Sequence, residues 1–240
     1  MLLPRYRRSL FNIVQLFDDR QYSSDLELTN NIRNWVNTNS VHLIDEEHDS
    51  YAFDVPQVTE KLWQRSAGEI RSPHLSCGPR AYAMKEIVDA MGVQSRIIDI
   101  FAITDRVIRS HTLLEVFDRQ QQLWIMQDPD FNVVYKYDDH RILSALELVR
   151  SNKSEVTYSA GGFSIENEIN CINTIKSLFE LGVLYRESYI GQKSLLLWNQ
   201  MNMSNEILDG GNGYTISKYF YGRDFNPKIE FHRFEDEQCH

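Results

Sequence analysis

The segment Ser76-Cys77-Gly78-Pro79-Arg80-Ala81-Tyr82-Ala83-Met84-Lys85-Glu86-Ile87-Val88-Asp89-Ala90-Met91-Gly92 constrains the fold more than any other stretch. Ala81, Met84, Val88 and Met91 recur at helical spacing and make one apolar stripe, so this helix must bury a face. Ser76 suits the N-cap, and Pro79 is tolerated in a first turn, where backbone N–H groups lack partners anyway. Gly92 ends the helix, because glycine reaches positive φ at little cost. Cys77 lies at the top of the stripe, so its sulfur is expected to face the core side rather than open solvent. A helix N-terminus carries partial positive charge and unpaired N–H donors, and both favour a thiolate over a thiol. The competing reading is a small buried cysteine at the start of a core helix.

After Gly92 the pattern changes from helix to strand. Ser95–Phe101 is rich in β-branched residues, and two further strands follow at His111–Phe117 and Leu123–Asp128. In the first of these, His111, Leu113, Glu115 and Phe117 share a face, and in the second Trp124, Met126 and Asp128 do. The polar run Asp118-Arg119-Gln120-Gln121-Gln122 joins them. A two-residue loop at Arg119-Gln120, or a four-residue loop over 118–121, sets His111 directly opposite Asp128, with Cβ atoms about 5 Å apart. A three-residue loop without a bulge would put the two on opposite faces.

Cys77, His111 and Asp128 therefore form a candidate catalytic set. The cysteine is the nucleophile, the histidine takes its proton, and the carboxylate fixes the imidazole tautomer and stabilises the cation. The Cys77 N–H and one donor from the preceding segment would hold the oxyanion of a tetrahedral intermediate. Gln57 is placed first among the candidates for that second donor, with Gln64, Trp63 and His74 as the others.

The rest of the chain sets the frame. Leu10–Phe17 reads as a short amphipathic helix packed on the core rather than on a membrane surface. Ser24-Asp25-Leu26-Glu27 has the capping-box pattern, with Leu28, Ile32, Trp35 and Val36 behind it on a helix face ending near Asn39. Asp45-Glu46-Glu47-His48-Asp49 is read as a solvated acidic loop, since a consecutive run does not match a calcium-loop spacing. Val58–Ile70 is predicted helical, and Ser72-Pro73 breaks it. His140–Val149 is predicted helical, and Asn152–Gly162 reads as a boundary. A long helix is predicted from Ile165 through Phe179, with Cys171 on its apolar side, a turn over 209–213, and a terminal strand at Lys228–Phe234. Cys239 and His240 are expected to fray. Residues 1–150 are taken as the core with its N-terminal helices. Residues 151–240 are taken as a helical or mixed C-terminal extension that can belong to the same domain.

Composition excludes several functions. A net charge of -9 argues against a phosphate-backbone binder, so nucleic acid is not an expected partner. Three widely spaced cysteines do not suggest a disulfide framework and suit a reducing compartment. The N-terminal stretch lacks a small-residue cleavage site, and no apolar run is long enough to cross a bilayer. A soluble, cytoplasmic protein without membrane partner, cofactor or metal is expected, its oligomeric state open. A metal held by Cys77 and His111 would have only two soft ligands.

These residues resemble the transglutaminase-like superfamily. Cys77-Gly78-Pro79-Arg80-Ala81 is similar to its Cys-x-x-x-Ala helix start, and Gly92-Val93-Gln94-Ser95-Arg96 to its Gly-Ile-x-x-Arg. His111-Thr112-Leu113-Leu114-Glu115-Val116 resembles its His-x-Trp-x-Glu-Val strand, and Trp124 with Asp128-Pro129 resembles its Trp…Asp-Pro strand. The likeness spans Ser24 to Tyr135. It departs from the pattern at Leu75, where a glycine is frequent, at Leu113, where a tryptophan would stand, and in the stiff Gly78-Pro79 first turn. It implies a papain-like α+β fold, with the cysteine helix on an antiparallel sheet that carries the histidine and aspartate. It further implies cysteine-dependent acyl chemistry on an amide of a protein, peptide or small molecule, by hydrolysis or transamidation through a thioester. No calcium requirement is implied. The alternative is a binding or scaffold module that keeps the groove without catalysis.

Overall fold

The computed structural model describes residues 5–18, 21–104, 107–137, 141–150, 156–160, 182–189, 193–198 and 229–233, a mixed helix-and-sheet, α+β arrangement. Helix α1 (Arg5–Leu16) begins five residues before the predicted start and buries Ser9 and Ile13. Helix α2 (Asp25–Thr38) starts at the predicted cap, with Ser24 Oγ accepting from the Glu27 N–H at 3.1 Å. The Glu27 carboxylate returns one residue further back than a standard capping box, to the N–H of Ser23 at 2.9 Å. Leu28, Ile32 and Val36 form its buried face, and Trp35 meets Phe17 edge to face at 5.9 Å. Helix α4 (Val55–Ser66) starts before the predicted Val58, because Asp54 caps the Gln57 N–H and Pro56 fits the first turn. It also ends before the predicted Ile70, and Gly68 beyond it has φ +76°.

The organising helix is α5 (Cys77–Ala90), and it packs on α2, α4 and strands β3 (Ser95–Thr104) and β4 (Val107–Asp118). Ala81, Met84 and Val88 are fully buried, as the stripe requires, and Met91 is partly buried. Ala83 and Ile87 are fully buried too, so the helix is covered on more than one face. Leu114, Val116, Ile97 and Ile125 of the sheet complete this core. At 25–30 cal/mol per Å² removed from water, one such buried aliphatic side chain contributes about 2 kcal/mol.

The main sheet has the order β11-β10-β9-β3-β4-β5, where β5 is Leu123–Gln127, β9 Gly182–Tyr189, β10 Lys193–Trp198 and β11 Ile229–Arg233. All neighbours are antiparallel except β10 and β11, which run parallel. Strand β11 lies within the predicted terminal strand. The β4–β5 loop corrects the sequence register. Asp118 pairs with Leu123 and Phe117 with Trp124, so the loop is Arg119–Gln122 rather than either of the two expected loops. Its tertiary anchors explain the choice. The buried Asp118 carboxylate accepts from the N–H groups of Gln121 at 2.7 Å and Leu26 at 3.2 Å, while Arg119 forms two side-chain bonds to Asp25. Gln122 takes up the left-handed backbone conformation, φ 57°.

Shifting the register by two residues preserves the faces. It moves His111 from directly opposite Asp128 to a diagonal neighbour on the same face, still within side-chain reach. Asp128 itself closes a β-bridge to Val133, where strand β6 (Val133–Tyr137) begins.

Three local predictions are corrected. The acidic stretch contains a short helix, α3 (Glu46–Asp49), capped by Asp45, and it buries His48. The predicted helix over 140–149 is instead strand β7 (Arg141–Ile142) followed by α6 (Ala145–Arg150). Ala145 N–H donates to the buried Glu115 at 2.6 Å, which anchors the helix start. Strand β8 (Val156–Ala160) runs through the stretch read as a boundary and pairs with β6. The helix read over 165–179 with Cys171, the turn at 209–213, and Cys239 and His240 lie outside the described residues. Among the described residues no helix is long and apolar enough to cross a membrane.

Candidate active site

Two-residue strands β1 (Val41–His42) and β2 (His74–Leu75) pair in parallel just ahead of α5. Ser76 follows as the N-cap in extended conformation, and Cys77 opens the helix as a free, half-buried thiol. Ser76 occupies the predicted cap position without performing the predicted cap bond. An N-cap hydroxyl accepts from the N2 or N3 amide. Here N3 is Pro79, which has no N–H, and the Ser76 hydroxyl instead pairs with His48 Nε2 at 2.9 Å.

The structure brings Cys77, His111 and Asp128 together. His111 Nε2 donates to Asp128 Oδ2 at 2.8 Å, and Cys77 lies near enough to His111 to favour its charged form. With Nε2 committed to the carboxylate, Nδ1 is the ring nitrogen left for the sulfur. Phe131 lies against the imidazole with ring centroids 4.8 Å apart and planes 33° off parallel, which limits rotation of the ring. Burial works against the imidazolium. The charge and hydrogen bond of Asp128, joined by the influence of Cys77, outweigh it and hold His111 well above the usual histidine range.

Asp128 is fully buried and every lone-pair direction is used. Oδ2 accepts from His111 and from the Tyr135 hydroxyl at 2.7 Å. Oδ1 accepts from the backbone N–H groups of Asp130 and Phe131, both at 3.0 Å. These four bonds hold a buried charge that would otherwise be costly.

A second buried ion pair ties α5 to the Asp128 turn. Arg80 Nη1 donates to Asp130 Oδ1 at 2.9 Å and to the Asp130 carbonyl at 3.0 Å, and Arg80 Nε donates to Ser40 Oγ at 3.0 Å. His42 Nδ1 meets the same Asp130 oxygen at 2.7 Å. Desolvation pushes the Asp130 carboxyl up, but His42, His111 and Arg80 together hold it below the usual carboxylate range. Nearby Arg33 donates to Asn132, Gln127 and Asn30. Burial lowers its guanidinium to about 10 against the opposing charges of Asp128 and Tyr135.

Sequence reading missed Tyr135, Phe131, Arg80, Asp130 and His48. Two signals were there to use: an arginine three residues after Cys77, directly before the apolar stripe that starts at Ala81, and a second aspartate in Asp128-Pro129-Asp130. The four second-donor candidates are not joined to the triad by any hydrogen bond among the described residues. Gln57 is exposed in the first turn of α4, Gln64 contacts Glu60, and Trp63 packs on the core. His74 Nδ1 faces Asp45 at 2.8 Å. Among the described residues no group of three or more His, Cys, Asp and Glu side chains is placed to hold a metal ion. No protein-family model, curated protein or solved structure matches this chain.

Proposed function

We propose that the chain is a cysteine-dependent enzyme acting on amides, of the transglutaminase-like type, with a papain-like core in which α5 supplies the nucleophile. The observation that carries this reading is His111 set between Cys77 and Asp128, bonded to Asp128 at 2.8 Å and pushed toward its charged form by both, with the carboxylate held by four donors. A buried cysteine serving only as a core residue has no need of an oriented imidazole and a buried carboxylate behind it.

In the proposed reaction the Cys77 sulfur attacks the amide carbonyl carbon, and a C–S bond forms. The oxyanion sits against the Cys77 N–H at the helix mouth. His111 gives its Nδ1 proton to the departing nitrogen, the C–N bond breaks, and an amine leaves behind a thioester. Water or a second amine then yields a proton to Nδ1 and attacks the thioester carbonyl. The C–S bond breaks and the thiolate returns. Asp128 keeps the Nε2 proton in place throughout and stabilises the imidazolium. Substrates are proteins, peptides or small amides, and the proposed setting is the cytoplasm, since three widely spaced cysteines suit a reducing compartment.

The test is substoichiometric iodoacetamide at neutral pH, with the modified peptides identified by mass. Cys77 should take the label ahead of Cys171 and Cys239, and His111→Gln should abolish that lead. The mass of Cys77 after exposure to a panel of amides should then reveal the trapped acyl group. Equal labelling of all three cysteines would refute the reading.

A further inference from the structure

We propose that His48 is a positioning residue that keeps the mouth of α5 open for the oxyanion by holding the Ser76 hydroxyl away from it. The inference rests on the acyl-transfer reading of Cys77 and adds a residue to it.

Three observations meet at this point. Ser76 has the extended backbone of an N-cap, φ -92° and ψ -176°, yet makes no cap bond. Pro79 at the third helical position removes one of the two amides that a cap serine uses, so only the Gly78 N–H remains for it. His48 is 5% exposed, and its Nε2 lies 2.9 Å from Ser76 Oγ, while its Nδ1 lies 2.9 Å from Asp49 Oδ1. Its own backbone N–H donates to Asp45 Oδ1 at 3.0 Å, and Asp45 Oδ2 meets His74 Nδ1 at 2.8 Å, which ties α3 to β2. The ring is thus held from the far side as well as from Ser76.

Without His48, a rotation about the Ser76 side chain would bring the hydroxyl to the Gly78 N–H, the only partner a cap serine has here. That bond would set the lone pairs of the Ser76 oxygen at the helix mouth beside the Cys77 N–H, where they would crowd and repel a tetrahedral oxyanion, so it would have to break each time one formed. A serine cap is worth about 1 kcal/mol, so the expected slowing is about fivefold. Alkylation at sulfur forms no oxyanion and should not feel the change.

The experiment compares two reactions at Cys77, each followed by the mass of the Cys77 peptide. p-Nitrophenyl acetate acetylates the thiolate: the C–S bond forms, the ester C–O bond breaks, and p-nitrophenolate leaves. Iodoacetamide alkylates the same sulfur with loss of iodide. His48→Phe should slow acetylation about fivefold while leaving alkylation within about twofold. His48→Gln, whose amide nitrogen falls near the imidazole Nε2 position, should hold Ser76 and keep the acetylation rate. His48→Asn, which is too short, should behave as His48→Phe does. Adding Ser76→Ala to His48→Phe should restore acetylation to the rate of Ser76→Ala alone, because no hydroxyl remains to cap. A structural role for His48 would not be rescued by removing a second side chain.

If His48→Phe fails to fold, the Gln and Asn pair carries the same contrast, and equal acetylation by the two overturns the proposal. So does a His48→Phe defect that persists with Ser76→Ala, or one that slows both reactions alike. If the unaltered protein is acetylated at Cys77 no faster than free glutathione, the acyl-transfer reading itself fails, and the role of His48 falls with it.

Discussion

Replacing Asp128 by asparagine tests the triad at its most constrained point. The substitution is nearly isosteric in a fully buried site, so packing changes little, and hydrogen-bond polarity decides the outcome. Asparagine has one oxygen and one NH2 group to distribute between two positions. At the Oδ1 position wait two backbone N–H groups, from Asp130 and Phe131, both at 3.0 Å. Turning the NH2 toward them would lose two buried bonds and oppose donor to donor, at a cost of about 1–3 kcal/mol per group, or roughly 2–6 kcal/mol in all. The oxygen therefore stays with the backbone, and the NH2 faces His111 Nε2. That nitrogen must then accept, which moves the single proton of neutral imidazole to Nδ1, where the base should present a lone pair to Cys77. Loss of the correct tautomer in an Asp–His catalytic pair costs on the order of 10⁴-fold in rate. The assay is acetylation of Cys77 by p-nitrophenyl acetate, with the His111 ring titrated by NMR. The titration midpoint should fall toward the ordinary histidine range, since the charge that held it high is gone. Acetylation within tenfold of the unaltered protein, with His111 still titrating high, would refute the reasoning.

Two further outcomes follow from the buried charges. Arg80→Met takes from Asp130 its buried arginine partner, and should lower stability by about 3 kcal/mol in urea unfolding at pH 7. A loss below 1 kcal/mol would show that the pair does not anchor the helix, and Arg80→Met with Asp130→Asn should recover part of the loss. The raised His111 value implies a pH dependence of stability. Its contribution is complete below the unfolded histidine value, about 6.5, and is lost as pH rises through the higher folded value. In a Cys77→Ser background, the urea midpoint should therefore decline above pH 6.5, and His111→Gln should flatten that decline.

Much of the frame was legible in the sequence because local rules and tertiary packing agreed. Ser24 capped α2, Gly92 followed α5 at φ +77°, and the Ala81-Met84-Val88 stripe went to the core. The three side chains of the proposed triad were also legible as types in an order. The failures are those in which a distant contact outweighed a local preference. The β4–β5 loop slipped because Asp118 and Arg119 are tied to the start of α2, almost a hundred residues earlier, and no turn rule contains that information. The acidic run folded into α3 because Asp45 caps it and His48 finds Ser76. The predicted helix at 140 gave way to β7 because Arg141 and Ile142 pair with Tyr137 and Lys136. The slipped register still left His111 and Asp128 in contact, because a shift of two residues is invisible to a face that repeats every two.

The hydrogen bonds around the turn from Asp128 to Asn132 explain why the triad can tolerate a diagonal pairing. Asn37 of α2 donates to the carbonyls of Pro129 and Asp130 at 3.1 and 2.9 Å. Asn132, at φ 57°, joins Arg33 and Asn34 of the same helix. Arg80 of α5 and His42 of β1 close on Asp130, and Tyr135 of β6 closes on Asp128. Four elements thus fix the turn that carries Asp128, and the strand pairing that ends at Gln127 need not do so. Cys77 is different: it is half-buried at a helix mouth whose cap serine is engaged elsewhere. Orientation is thereby concentrated on the histidine side, where a small misplacement would misdirect a proton. Freedom is left on the sulfur side, where the proposed reaction has an acyl group enter and leave.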